Sequence, residues 1–153
     1  MHVVLPSADA VAAMLENLLG REVYVSDGDS GESLWSGRYV TRDDQLAVVG
    51  LADIRMVAYA GSALSMVPPG TAQDVVKEGD PTSAMLENLH EVLNVAASLM
   101  MDAGSDHVRL DGIGPVASLD AGATDLIADG TGTSFVVDID GYGKGGLSFV
   151  THA

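Results

Sequence analysis

The chain has 153 residues, a length that fits one domain over 1–153, and 47% of them are hydrophobic, enough for a sizeable core. It contains no cysteine, which excludes disulfides, thiolate metal sites and thiol nucleophiles together. A formal net charge of -15 argues against binding nucleic acid or an anionic membrane surface, and favours basic or metal-bearing partner surfaces. The opening MHVVLPSADA lacks the basic region and apolar run of a signal peptide. No uninterrupted apolar run reaches the roughly 18 residues that cross a bilayer, so a soluble, cytoplasmic protein without membrane contact is expected. Aromatic residues are scarce, so Val, Leu, Ala and Met must fill the core.

Ser7 to Leu19 reads as a first helix, capped by Ser7, ended by Gly20, with Val11, Met14, Leu15, Leu18 and Leu19 on its apolar face. Arg21 to Ser26 alternates like a strand, Val23 and Val25 to one side and Tyr24 to the other. Asp27 to Ser33 is a turn. Leu34 to Thr41 and Leu46 to Leu51 read as strands joined by the polar turn Arg42-Asp43-Asp44. Ile54 to Met66 is nearly all apolar, which suggests a buried strand with a bulge at Gly61, ended by Pro68 and Pro69. Pro69 to Lys77 fits a short helix with Ala72, Val75 and Val76 inward.

Asp80 to Met101 reads as one long amphipathic helix, with Asp80 as N-cap, Pro81 in the first helical position and Gly104 just past the end. Met85, Leu86, Leu89, Val92, Leu93, Ala96, Leu99 and Met100 form its apolar stripe. Ser83, Glu87, Glu91, Asn94 and Ser98, in steps of four, four, three and four, share a second, polar face. A carboxylate one turn before a carboxamide on a rigid element suits recognition chemistry. A merely solvated face has the same spacing.

Beyond that helix, Asp106 to Leu110 reads as a strand and Asp111 to Pro115 as a Gly-rich break. Val116 to Leu119, Asp125 to Ala128 and Ser134 to Ile139 are short strands, Gly141 to Gly146 a turn, and Leu147 to Thr151 a terminal strand. The sum is an α+β domain with a mostly antiparallel sheet and two long helices packed on it. The hexapeptide AMLENL occurs at Ala13 to Leu18 and again at Ala84 to Leu89, each time on an expected helix, which hints at duplication and at two helices packed side by side.

Other motifs fail on spacing. GYGKGG lacks the phosphate-loop pattern and opens no helix. Asp27 and Asp29 begin like a calcium loop, but Gly31 comes one residue early and Arg38 stands where the closing Glu belongs; Asp138 and Asp140 fail likewise at Phe149. His2, His90, His107 and His152 have no metal-ligand spacing, and no nucleophile elbow accompanies the Ser and His residues. No metal site is expected.

On these residues the chain resembles the CheX and CheC group of chemotaxis phosphatases, CheX most by length and layout. The group's motif is Asp or Ser, three residues, Glu, two residues, Asn, and a Pro some twenty-odd residues on. Glu91 and Asn94 match the Glu and Asn, and Pro115 follows with twenty residues between. The upstream MVAYAGSALSMV and PGTAQDVVKE fit the group's layout as well. The position of the Asp or Ser holds Glu87, a longer acid. A second register, Ser83-x3-Glu87-x2-His90, has the right Ser and Glu but His in place of Asn. The first helix has Glu16 followed by Leu19, so the resemblance implies one site per chain.

What the resemblance implies is a phosphatase for the phospho-aspartate of a CheY-like response regulator. Asn94 would position the attacking water, and Glu91 would pair with a partner lysine. Glu87, Ser83 and Ser98 would line the partner-binding face. Magnesium would belong to the regulator, leaving this chain without a cofactor of its own. A homodimer through sheet contacts is a further implication, permitted by the apolar Leu147 to Val150. The alternative is a catalytically silent binding or dimerisation domain of the same fold.

Overall fold

α1 runs from Ala8 to Leu19. The Ser7 hydroxyl accepts a hydrogen bond from the Ala10 N–H (3.1 Å), and Gly20 adopts the left-handed conformation, φ 70°, that closes the helix. Then follow β1 (Val23–Asp27), β2 (Ser33–Thr41), β3 (Leu46–Asp53), α2 (Ile54–Leu64), α3 (Pro69–Glu78) and α4 (Ser83–Ala96). β4 (Val108–Pro115), α5 (Ala121–Asp129), β5 (Thr131–Ile139) and β6 (Gly143–Thr151) complete the chain. Short 3-10 turns cover Ala97–Met100 and Val116–Ser118. The structure, a computed structural model, describes residues 1–29 and 31–153; Ser30, inside the expected Asp27 to Ser33 turn, lies outside the described residues.

The strands form one antiparallel sheet in the order β1-β5-β6-β3-β2-β4. This order reads the same when β1, β2 and β3 are exchanged with β4, β5 and β6, and the central β3–β6 pair maps onto itself. α1 precedes β1 as α4 precedes β4, so the two AMLENL copies lie on helices related by that exchange. They do not face each other. Ala13, Met14, Asn17 and Leu18 of α1 line a groove with Val95, Ser98 and Leu99, while Met85 of the second copy lies against Gly61 of α2.

One sheet face carries α1, α2 and α4 over a core that includes Tyr39, Val48, Phe135, Leu147 and Phe149. The other is partly covered by α5, whose Ala123 and Leu126 pack on Val49, Leu51 and Val150. β3 is therefore covered on both sides, which explains its almost unbroken apolar sequence. The α+β class with a mostly antiparallel sheet is as expected.

Several local expectations are corrected. Ile54 to Met66 is not a strand but α2: the buried Asp53 caps it, accepting from the Met56 N–H at 2.8 Å, and the helix is apolar all round because neighbours cover it on every side. Gly61 there is not a bulge but a point of close approach to α4. Asp125 to Ala128 lies inside α5, capped by Asp120, and Val116 to Leu119 begins as a 3-10 turn. The Gly-rich 111–115 stretch continues β4, with Gly112 and Gly114 paired to Arg38 and Ser36 of β2. The central helix begins later than expected, because Thr82 rather than Asp80 caps it by accepting from the Met85 N–H. Leu147 to Val150 belongs to β6, paired on both sides, so it offers no free edge; the sheet edges are β1 and β4. No helix among the described residues is long and apolar enough to cross a membrane.

Candidate functional site

Ser83, Glu87, Glu91 and Asn94 lie on α4, and Ser98 in the 3-10 turn after it; all five are exposed. At about 100° per residue their spacing keeps them within a sector of roughly 80°. Opposite them Met85, Leu89, Val92, Leu93 and Ala96 are buried against the sheet and α2. Amphipathicity thus turns the polar stripe outward as a ridge.

Glu87, Glu91 and Asn94 make no side-chain hydrogen bond or ion pair among the described residues. The Ser98 hydroxyl is engaged within its own turn, donating to the Val95 carbonyl at 2.9 Å. Among the described residues the ion pairs lie elsewhere: Arg38 meets Asp111 and Asp120, and Arg109 meets Asp44 and Asp111. No Lys or Arg occurs between Lys77 and Arg109, so α4 offers its two carboxylates no cation of its own. They are left to attract a basic surface.

Two shallow depressions flank the ridge. Leu86, Glu87, His90 and Ile113 line one, which is mainly apolar; the α1–α4 groove with Leu18, Val95 and Leu99 forms the other. A polar ridge between apolar hollows is suited to docking on a protein surface. Sequence reading found the ridge but not these flanks, since Ile113 and Leu18 reach it only through the fold. Leu86 and His90, four residues apart, were the available signal for the first. Pro115 ends β4 opposite Trp35 and lines the depression around Arg38, which shares Ile113 with the first of these two.

The base of the ridge is firmly held. Asn88, between Glu87 and the buried Leu89, donates to the Gly61 carbonyl and to the Ser65 hydroxyl oxygen, both at 2.7 Å. The Leu93 side chain lies over Gly37 and Gly50, cross-strand partners in β2 and β3: a β-carbon at Gly37 would stand 2.8 Å from Leu93 Cδ1. The buried Tyr39 hydroxyl donates to the Leu93 carbonyl at 2.5 Å.

No family model matches the chain, and no curated protein matches it. Among solved structures it is similar to FliY from Thermotoga maritima, with TM-score 0.63 and 15% identity over 94% of this chain and 82% of that one. It is similar also to FliM of the FliM–SpeE complex from H. pylori, with TM-score 0.65 and 10% identity over 95% of this chain and 81% of that one. A CheX from Desulfovibrio desulfuricans aligns over 94% of this chain and 95% of its own at TM-score 0.44 and 10% identity, a looser likeness. The fold is the one seen in FliY and FliM.

Proposed function

We propose that this chain is a phosphatase that hydrolyses the phospho-aspartate of a CheY-like response regulator, in chemotaxis or two-component signalling. The observation that carries the reading is the pair Glu91 and Asn94, one turn apart, exposed and without side-chain partners among the described residues, on a helix fixed to the sheet. An acyl phosphate is already activated, so little covalent chemistry is needed beyond a water held in line with the bond to be broken. The Asn94 carboxamide both donates to and accepts from water and brings no negative charge to the phosphoryl group. Glu91 pairs with a lysine of the regulator and sets the docking register. Glu87, Ser83 and Ser98 complete the contact face. Magnesium is the regulator's, and this chain supplies no metal or cofactor. The reading implies a cytoplasmic protein.

Steady-state turnover of a phosphorylated regulator tests the division of labour. Asn94→Ala is expected to lower kcat, and Glu91→Ala chiefly to raise KM. Equal turnover by wild type and both variants would reject the reading.

A second reading is a catalytically silent binding domain of the same fold. Glu87 stands where the motif has Asp or Ser, and the similar FliM was solved in a protein–protein complex. Under it the regulator binds but decays at its own rate. A homodimer through sheet contacts would use the edges β1 or β4.

A further inference from the structure

We infer that Tyr39 is the positioning residue for Asn94, acting through the Leu93 carbonyl from beneath the helix. The inference rests on the reading of Asn94 as the water-holding group.

α4 does not end as a plain α-helix. The Ala97 N–H points to the Asn94 and Val95 carbonyls instead of the Leu93 carbonyl four residues back, and Ala97–Met100 winds on as a 3-10 turn. The Leu93 carbonyl is thereby left without that helical donor, in a buried position where an unpaired carbonyl is costly. Tyr39 of β2 takes it, at 2.5 Å. Its ring is fully buried, 6.3 Å from Phe149 in a tilted arrangement, so the hydroxyl is delivered from a fixed point in the sheet. Burial raises the Tyr39 pKa far above its ordinary value of 10.0, which keeps the hydroxyl a donor over the physiological range.

The consequence falls on the next residue. Asn94 follows Leu93, and its own carbonyl is one of the two that the Ala97 N–H meets in the tightened turn. The Gly37–Gly50 floor seats the Leu93 side chain while Tyr39 seats its backbone, so the turn carrying Asn94 is held at two points. Without the hydroxyl, the simplest repair returns the Ala97 N–H to the Leu93 carbonyl. The turn then relaxes toward α geometry and the Asn94 side chain is re-aimed. Because misplacement by about 1 Å costs about a hundredfold, a partial shift is expected to lower kcat by about tenfold with little change in KM.

The test compares wild type with Tyr39→Phe in two measurements. The first is saturation kinetics on a phosphorylated CheY-like regulator; the second is the amide NMR spectrum of residues 94–98, including the Asn94 carboxamide. The account expects kcat down about tenfold, KM within about twofold, and shifts concentrated at residues 94–98. Unchanged kcat, or a loss of stability with those resonances in place, overturns it. If wild type itself does not speed decay, the phosphatase reading fails, and the resonances alone decide whether Tyr39 sets the turn. Should Tyr39→Phe fold poorly, Gly37→Ala displaces Leu93 from its other support: shifts at 94–98 are expected, and their absence counts against the clamp.

Discussion

Gly61 of α2 lies so near Met85 of α4 that a β-carbon at position 61 would stand 3.0 Å from the Met85 backbone. A backbone cannot yield as a flexible side-chain tip can. Gly61→Ala is therefore expected to push α4 outward and cost about 1–3 kcal/mol, despite the better helix propensity of alanine. Urea unfolding checks this; a variant as stable as wild type would show that the helices part without strain.

Met66 takes the left-handed conformation, φ 58°, just past α2, where helices most favour glycine. The Val67 N–H bonds to the Ser62 carbonyl and the Met66 N–H to the Ala63 carbonyl, which completes the closing motif. The side chain is 75% exposed, so little packing is lost on removing it. Met66→Gly is expected to raise stability by about 1 kcal/mol, read as a higher Tm. A lower Tm would mean that the Met66 side chain contributes more than its backbone strain costs.

Asp53 caps α2 with one oxygen and accepts from the Gly31 N–H with the other at 3.1 Å. Asp53→Ala removes both interactions in a buried place and is expected to cost about 2 kcal/mol, whereas Asp53→Asn keeps the cap and should cost less. Chemical denaturation of the two variants gives the order; the reverse order would assign the site to charge instead of capping.

Alkaline unfolding reports on Tyr39. Its folded pKa is raised, so its contribution is complete below the unfolded value of 10.0 and is lost as pH climbs above it. Above that pH the unfolded chain releases the Tyr39 proton and the folded chain does not. Stability should fall by about 1.4 kcal/mol per pH unit from this group. Tyr39→Phe should show a shallower fall between about pH 10 and 11; identical slopes would mean that the hydroxyl ionises in place.

The ridge predicts a salt-dependent encounter. Glu87 and Glu91 are exposed and unpaired among the described residues, so their pull on a basic partner surface is screened by ions. Regulator binding should weaken several-fold as ionic strength rises from about 0.05 to 0.3 M. The double variant Glu87→Gln, Glu91→Gln should lose most of that dependence. Affinity measured across a salt series decides it, and a wild type insensitive to salt would remove these carboxylates from the docking face.

Legibility in the sequence followed the kind of signal. α1 was readable because Ser7, Gly20 and a clear apolar period agree, and the polar ridge because helical spacing alone fixes a common face. α2 was not: a continuous apolar run has no period to separate strand from helix, and its cap, Asp53, was hidden at the end of a strand. Gly112 and Gly114 read as a break, yet an edge strand tolerates them. The supports of Asn94 — Tyr39, Gly37 and Gly50 — come from strands more than forty residues away, and only sheet register brings them beneath Leu93.

The most direct measurement is the decay of a phosphorylated CheY-like regulator from the same source, alone, with this protein, and with Asn94→Ala. Faster decay with wild type, reduced to the regulator's own rate by Asn94→Ala, is the predicted result. Decay at the intrinsic rate in all three, for every cognate regulator, would contradict the enzymatic account and leave a binding domain.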